Sequence, residues 1–183
     1  MTIDIQNIIR IAKAAGQHAR ERLHADHEVG VKGAQDLVTE VDRQNEDYIL
    51  AELRKAYPDH AVLTEESGAH AGDQRHTWYV DPLDGTMNYA HEIPFYCVSI
   101  GYAYEGELVL GVVYDPNLDE VFYAEKGKGA FLNGSPIRVN PETDRAMALL
   151  DTGFSTKMLK LGYQNFDLHR HFMLTTAGVR RLG

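Results

Sequence analysis

The sequence predicts an α+β fold in which N-terminal helices pack on a large antiparallel sheet, and three observations carry that prediction. Residues 4–24 and the stretch from Thr39 to Tyr57 have the signals of two helices. Between Phe95 and Val139, strand-like runs follow one another with only turns between them, which is the pattern of a meander and not of alternating strands and helices. The 183 residues are 44% hydrophobic and 25% charged, an ordinary composition with enough chain for one sizeable core or for a domain and part of another. The change of pattern after Asn140-Pro141 divides the chain into an N-terminal domain, residues 1–140, and the start of a second α/β domain, residues 141–183.

In the first helix Ile5, Ile8, Ile9, Ala12 and Ala15 recur at helical spacing, with Arg10, Lys13 and Arg20 off that face. Gly30 to Gln35 reads as a loop or a tight pair of short strands. Thr39 with Asp42 three residues later is a capping-box arrangement for the second helix, and Pro58 stops it. Ala61-Val62-Leu63 is a short strand running into Thr64-Glu65-Glu66-Ser67-Gly68. Residues 69–76 read as a polar loop whose His70 and His76 lie at the surface. Beyond Phe95 the apolar alternation predicts a hairpin turning at Glu105-Gly106, further strands at 121–124 and 130–132, and an Asn133-Gly134 turn into Pro136-Ile137-Arg138-Val139. Lys126-Gly127-Lys128-Gly129 lacks phosphate-loop spacing and reads as a basic turn. Residues 146–150 read as a strand and Leu168 to Leu174 as a helix, whose His169 and His171 cannot share a face.

The chemistry concentrates in Trp78-Tyr79-Val80-Asp81-Pro82-Leu83-Asp84-Gly85-Thr86-Met87-Asn88-Tyr89. An apolar strand ends in two aspartates that Pro82 can bring together, because proline fixes φ and extends the residue before it. Gly85 allows backbone to approach a ligand, and free N–H groups of Gly85 and Thr86 at the start of a helical turn suit an anion. Carboxylates hold hard cations, and N–H groups hold phosphate oxygens. Read without this context, Asp-Pro-Leu-Asp-Gly-Thr is a polar turn.

The net charge of −9 speaks against a general nucleic-acid or membrane-surface binder. The one cysteine, Cys97, rules out an internal disulfide and reads as a small buried hydrophobe, fitting a reducing, cytoplasmic setting. The first residues show no signal-peptide pattern, and no run reaches the length of a membrane span.

The string from Trp78 to Tyr89, with Asp36-Leu37-Val38-Thr39-Glu40-Val41-Asp42 and Glu65-Glu66 before it, resembles the inositol monophosphatase family of metal-dependent, lithium-sensitive sugar phosphatases. The resemblance runs from about residue 5 to residue 183. It implies a layered α/β sandwich of the sugar phosphatase type and Mg²⁺-dependent hydrolysis of inositol monophosphate or a related sugar phosphate. It implies about two or three Mg²⁺ ions held by Glu65, Asp81, the Leu83 carbonyl and Asp84. Asp42, Glu65 and Thr86 are then the catalytic residues, with Asp42 and Thr86 orienting a water, while Lys32, Glu65, Leu83, Asp84, Gly85 and Thr86 contact substrate. For Asp42 the capping role stands beside this one, and for Lys32 so does that of a solvated surface lysine. Fructose-1,6-bisphosphatase and histidinol phosphatase activities belong to the same fold, and a homodimer is expected of a complete chain. A non-catalytic module is the contrasting reading, since some bacterial relatives are associated with transcription or ribosome assembly. The Arg180-Arg181-Leu182-Gly183 ending resembles a string that leads, in the family, into the rest of the second domain and a Trp-Asp-x-Ala metal motif. The resemblance therefore implies a chain cut short, with an incomplete second domain.

Overall fold

The computed structural model describes residues 3–25, 29–33, 36–141, 143–153, 162 and 165–182, with backbone alone for residues 29, 31–33 and 36–38. They form two compact units, residues 1–137 and 138–183.

The first unit opens with α1 (Ile5–Arg22), where the Asp4 side chain accepts the Gln6 N–H at 3.0 Å and Arg20 and Arg22 stand in the last turn. Both ends thus complement the helix dipole. A hairpin of β1 (Val29–Gly33) and β2 (Asp36–Thr39) leads into α2 (Glu40–Ala56). The Thr39–Asp42 capping box is formed: the Thr39 N–H donates to Asp42 Oδ2 at 2.8 Å. Tyr57 ends the helix ahead of Pro58.

An eight-stranded sheet follows, built from β3 (His60–Thr64), β4 (Ala69–His70), β5 (Asp73–Asp84), β6 (Cys97–Tyr104), β7 (Glu107–Asp115), β8 (Glu120–Glu125), β9 (Gly129–Leu132) and β10 (Ser135–Ile137). Its order is β10-β9-β8-β7-β6-β5-β3-β4. All neighbours run antiparallel except β3 and β5, which pair parallel after the chain crosses over through β4. The Glu105-Gly106 and Asn133-Gly134 turns both hold positive φ at their two residues, as tight hairpins require. α1 and α2 lie on one face, where Ile8, Ile11, Ile49 and Leu53 pack against Trp78, Ile100, Val112 and Tyr114. Ile5 and Ile9 flank this core, and Ile11 enters it in their place. A short helix, α3 (Thr86–Ala90), is held by a smaller cluster in which Tyr89 and Tyr96 pack on Ala19, Leu23, Val41 and Leu83.

Two local readings are corrected, those of His76 and of residues 146–150. His76 is half-buried, stacked on His60 at 4.5 Å and hydrogen-bonded to the Tyr102 hydroxyl at 2.6 Å, because β5 begins at Asp73 and carries it into the sheet. His70 is held between the Arg54 guanidinium at 3.1 Å and the Ser67 hydroxyl at 2.7 Å. In the second unit residues 146–150 are not one strand: a 3₁₀ turn, Arg145–Met147, capped by Asp144, precedes β11 (Leu149–Asp151). β11 pairs in parallel with β12 (Gly178–Arg180), and the helix between them, α4, spans Phe166–Thr175.

Candidate active site

Asp42 sits in the first turn of α2 and is fully buried. Its Oδ2 takes the N–H and the hydroxyl of Thr39, which completes the helix cap. Its Oδ1 lies 2.8 Å from the Thr86 hydroxyl. The capping role and the pairing with Thr86 therefore coexist, one on each oxygen. The Thr86 oxygen also lies 3.1 Å from the Leu83 carbonyl. One hydroxyl hydrogen serves one acceptor at a time, and the charged carboxylate at the shorter distance wins it.

Thr86 is brought there by the end of β5. The ladder between β5 and β6 shifts register between Asp81 and Asp84, so Pro82 and Leu83 form a corner. Asp81 Oδ1 accepts the Leu83 N–H at 3.1 Å, and Asn45 of α2 donates from Nδ2 to the Pro82 carbonyl at 3.2 Å. Gly85 follows in the left-handed region, φ 99°, and a Cβ there would lie 3.0 Å from the Phe95 carbonyl oxygen and 3.2 Å from Tyr96 Cα. Only glycine fits both the dihedral and the space. α3 begins at the next residue, with no side chain capping its first N–H groups.

Glu65 is carried to the same corner by β3, its N–H donating to the Val80 carbonyl at 3.1 Å. The Asp81 and Glu65 carboxyls hydrogen-bond each other. Burial, then Glu65, then the charge of Asp84 raise Asp81 well above the ordinary carboxylate range. Asp84 is exposed and has the Cys97 thiol 3.8 Å from Oδ2. Cys97 is half-buried, and burial followed by the two aspartates pushes its thiol up to about 12, which keeps it unreactive.

Among the described residues, no three His, Cys, Asp or Glu side chains already stand together as a metal-binding group. The donor chemistry nevertheless fits a hard divalent cation: carboxylate and carbonyl oxygens only, set where burial and neighbouring carboxyls penalise the charge of Asp81. Glu65 and Asp81 border a cleft of about 660 Å³ along the sheet, walled by Leu63, Tyr79, Gly101 and Leu108.

Asp42, Leu83, Gly85 and Thr86 thus meet at one corner, with Glu65 and Asp81 paired beside it and Asp84 at its exposed edge. The Lys32 side chain lies outside the described residues. Sequence reasoning missed Asn45 and Glu46, two buried polar residues of α2 that grip the corner and the Glu65 loop. The signal was there: a buried helix face reading Val41, Asp42, Asn45, Glu46, Ile49 places polar groups where apolar ones belong.

The chain matches the family model for the inositol monophosphatase family over residues 3–183. It is 45% identical over 157 residues to inositol monophosphatase 3 of Solanum lycopersicum, covering 84% of this chain and 59% of that protein. Against the Nus factor SuhB of Pseudomonas aeruginosa it is 42% identical over 183 residues, covering 96% of this chain and 67% of the relative. Among solved structures, the extragenic suppressor protein suhB of Bartonella henselae aligns at TM-score 0.91 and 36% identity, over 98% of this chain and 70% of that one. An IMPase/NADP phosphatase complexed with Mg²⁺ and phosphate aligns at TM-score 0.81 and 28% identity, over 98% and 67%. Family model, sequence and fold agree with the corner built from α2, β3 and β5: the chain belongs to the inositol monophosphatase family.

Proposed function

We propose that the chain is the cation- and phosphate-binding part of a Mg²⁺-dependent phosphomonoesterase that hydrolyses inositol monophosphate or a related sugar phosphate with water as the nucleophile. The observation that carries this reading is the Thr86 hydroxyl, 2.8 Å from a buried Asp42 carboxylate and in the same corner as the Glu65–Asp81 pair. The solved relative described as a complex with Mg²⁺ and phosphate supports the choice of ion.

Glu65, Asp81, the Leu83 carbonyl and Asp84 would hold the cation. When bound, Mg²⁺ supplies positive charge to the phosphate oxygens and acidity to a water. The Thr86 hydroxyl, with its hydrogen committed to Asp42, keeps lone pairs to accept a hydrogen from that water and so orients it. Gly85 and Thr86 offer backbone N–H groups to the phosphate, and the left-handed Gly85 sets their direction. Ser67 and His70 provide no competing nucleophile. Arg54 can only donate, so His70 Nδ1 accepts and Nε2–H donates to the Ser67 oxygen, leaving the serine without a base.

Relatives named Nus factor SuhB match as well as those named inositol monophosphatase, which favours a second reading, the same fold as a transcription-associated module. The two diverge on the corner itself, since binding a partner gives no use for Asp42, Glu65, Asp81, Asp84 and Thr86 together. The chain spans 59% of the length of the tomato relative. The test is phosphate release from inositol 1-phosphate with and without Mg²⁺, by the chain and by Asp84→Asn. Release that requires both Mg²⁺ and Asp84 supports the phosphatase reading. No release, or release indifferent to either, contradicts it.

A further inference from the structure

The mechanism above uses Asp42 of α2 and leaves two other buried polar residues of that helix without a task. Glu46 is 4% exposed and Asn45 1%. A buried carboxylate is costly unless hydrogen-bonded. Glu46 spends both oxygens on consecutive backbone donors: Oε2 accepts the Glu66 N–H at 3.1 Å and Oε1 the Ser67 N–H at 3.1 Å. Those are the two residues after Glu65. On the other side of Glu65, its own N–H is tied to the Val80 carbonyl, one residue before Asp81. The backbone is therefore pinned on both sides of Glu65, to β5 through one bond and to α2 through two.

Asn45 does the same for the facing segment. Its Nδ2 holds the Pro82 carbonyl at 3.2 Å, inside Asp81-Pro82-Leu83, while its Oδ1 is engaged by His18 Nδ1 of α1 at 2.8 Å. Asp42, three residues before Asn45, holds Thr86. One turn of α2 thus grips three segments that are distant in sequence.

We infer that Glu46, with Asn45 beside it, is a positioning residue that fixes the distance of the Glu65 carboxylate from the Asp81 corner and thereby sets the cation affinity of the site. This rests on the cation-binding reading above. Supports behind metal ligands are worth about 10–100-fold in affinity. A clamp made of two bonds to one loop has to act through that loop.

The test compares the full 183-residue chain with Glu46→Gln, Glu46→Asp and Asp81→Asn, measuring Mn²⁺ affinity by electron paramagnetic resonance and amide exchange at Glu66 and Ser67. Glu46→Gln replaces one acceptor by a donor facing an N–H. Glu46→Asp keeps the charge but withdraws it by one methylene, and serves if the glutamine variant does not fold. Both variants are expected to speed exchange at the two amides and to weaken Mn²⁺ binding about 10–100-fold. Gly16→Ala, whose added Cβ meets the Tyr114 ring in the core, should leave Mn²⁺ affinity unchanged and so separates positioning from general loss of stability. If Asp81→Asn weakens Mn²⁺ while both Glu46 variants bind like wild type, the positioning role is overturned and the cation site stands. If Asp81→Asn binds Mn²⁺ as wild type does, the cation site itself is overturned, and the positioning role with it.

Discussion

At the residue scale, the arrangement of Asp42 resolves two competing roles. Its Oδ2 caps α2 and its Oδ1 serves Thr86, so a cap and the proposed catalytic pair share one side chain. Thr86 is different: among the described residues its hydroxyl is tied to the corner, to Asp42 and to the Leu83 carbonyl. Thr86→Val keeps the shape and removes the hydroxyl. Mg²⁺-dependent turnover is expected to fall by about 10²-fold or more, the range of a lost proton-handling group. Thermal stability should change little beside that, which a melting curve checks. The motif residues Asp81 to Thr86 were legible in the sequence because they lie within one turn of chain, where Pro82 and Gly85 announce the geometry. Asn45 and Glu46 were not, because their partners lie 37 and about 20 residues away, and polar residues on a helix read first as solvated.

At the scale of elements, the helices and the meander followed from periodicity and from the Asn133-Gly134 and Glu105-Gly106 turns. The parallel pairing of β3 with β5 did not, since no pattern in a buried strand reports the direction of its neighbour. Gly16 is another silent position. It reads as a weak helix residue, yet a Cβ there would meet the Tyr114 ring at 2.5 and 2.7 Å. Alanine would gain helix propensity and lose the close approach of α1 to β7; the clash is with a fully buried ring that has no room to move. Gly16→Ala is expected to destabilise the chain by about 1–3 kcal/mol in a denaturant titration.

The stacked end of β3 and β5 predicts a pH effect. Trp78 Nε1–H donates to His60 Nδ1 at 3.0 Å, so neutral His60 carries its proton on Nε2, while His76 lies parallel at 4.5 Å. Burial and then His76 hold His60 below the ordinary histidine range, against the opposing pull of Asp59 and Asp73. A histidine lowered in the folded state binds fewer protons than in the unfolded one, so its contribution is complete above about pH 6.5 and is lost as pH falls through that value. The stability difference between wild type and His60→Gln should therefore shrink between pH 7.5 and pH 5.5. A difference that stays constant would show that His60 does not titrate with unfolding.

At the scale of the whole molecule, the sheet of the first unit has one face on α1 and α2 and leaves Leu63, Tyr79, Leu108, Val113 and Phe122 substantially exposed on its strands. Apolar residues gathered in this way favour association. Replacing Leu108 and Phe122 together by serine should lower the apparent mass seen by light scattering at high concentration and leave the unfolding midpoint nearly unchanged. Family membership was readable from sequence because it rests on short strings, whereas this face was not, since alternating strands look alike whether one or both faces are covered.

The most direct test of the central claim, that Glu65, Asp81, the Leu83 carbonyl and Asp84 form a hard-cation site, is a calorimetric titration of the chain with Mg²⁺ beside Asp81→Asn. Wild type is expected to bind saturably, and the variant to lose about 10-fold or more in affinity. Equal binding by the two proteins would contradict it.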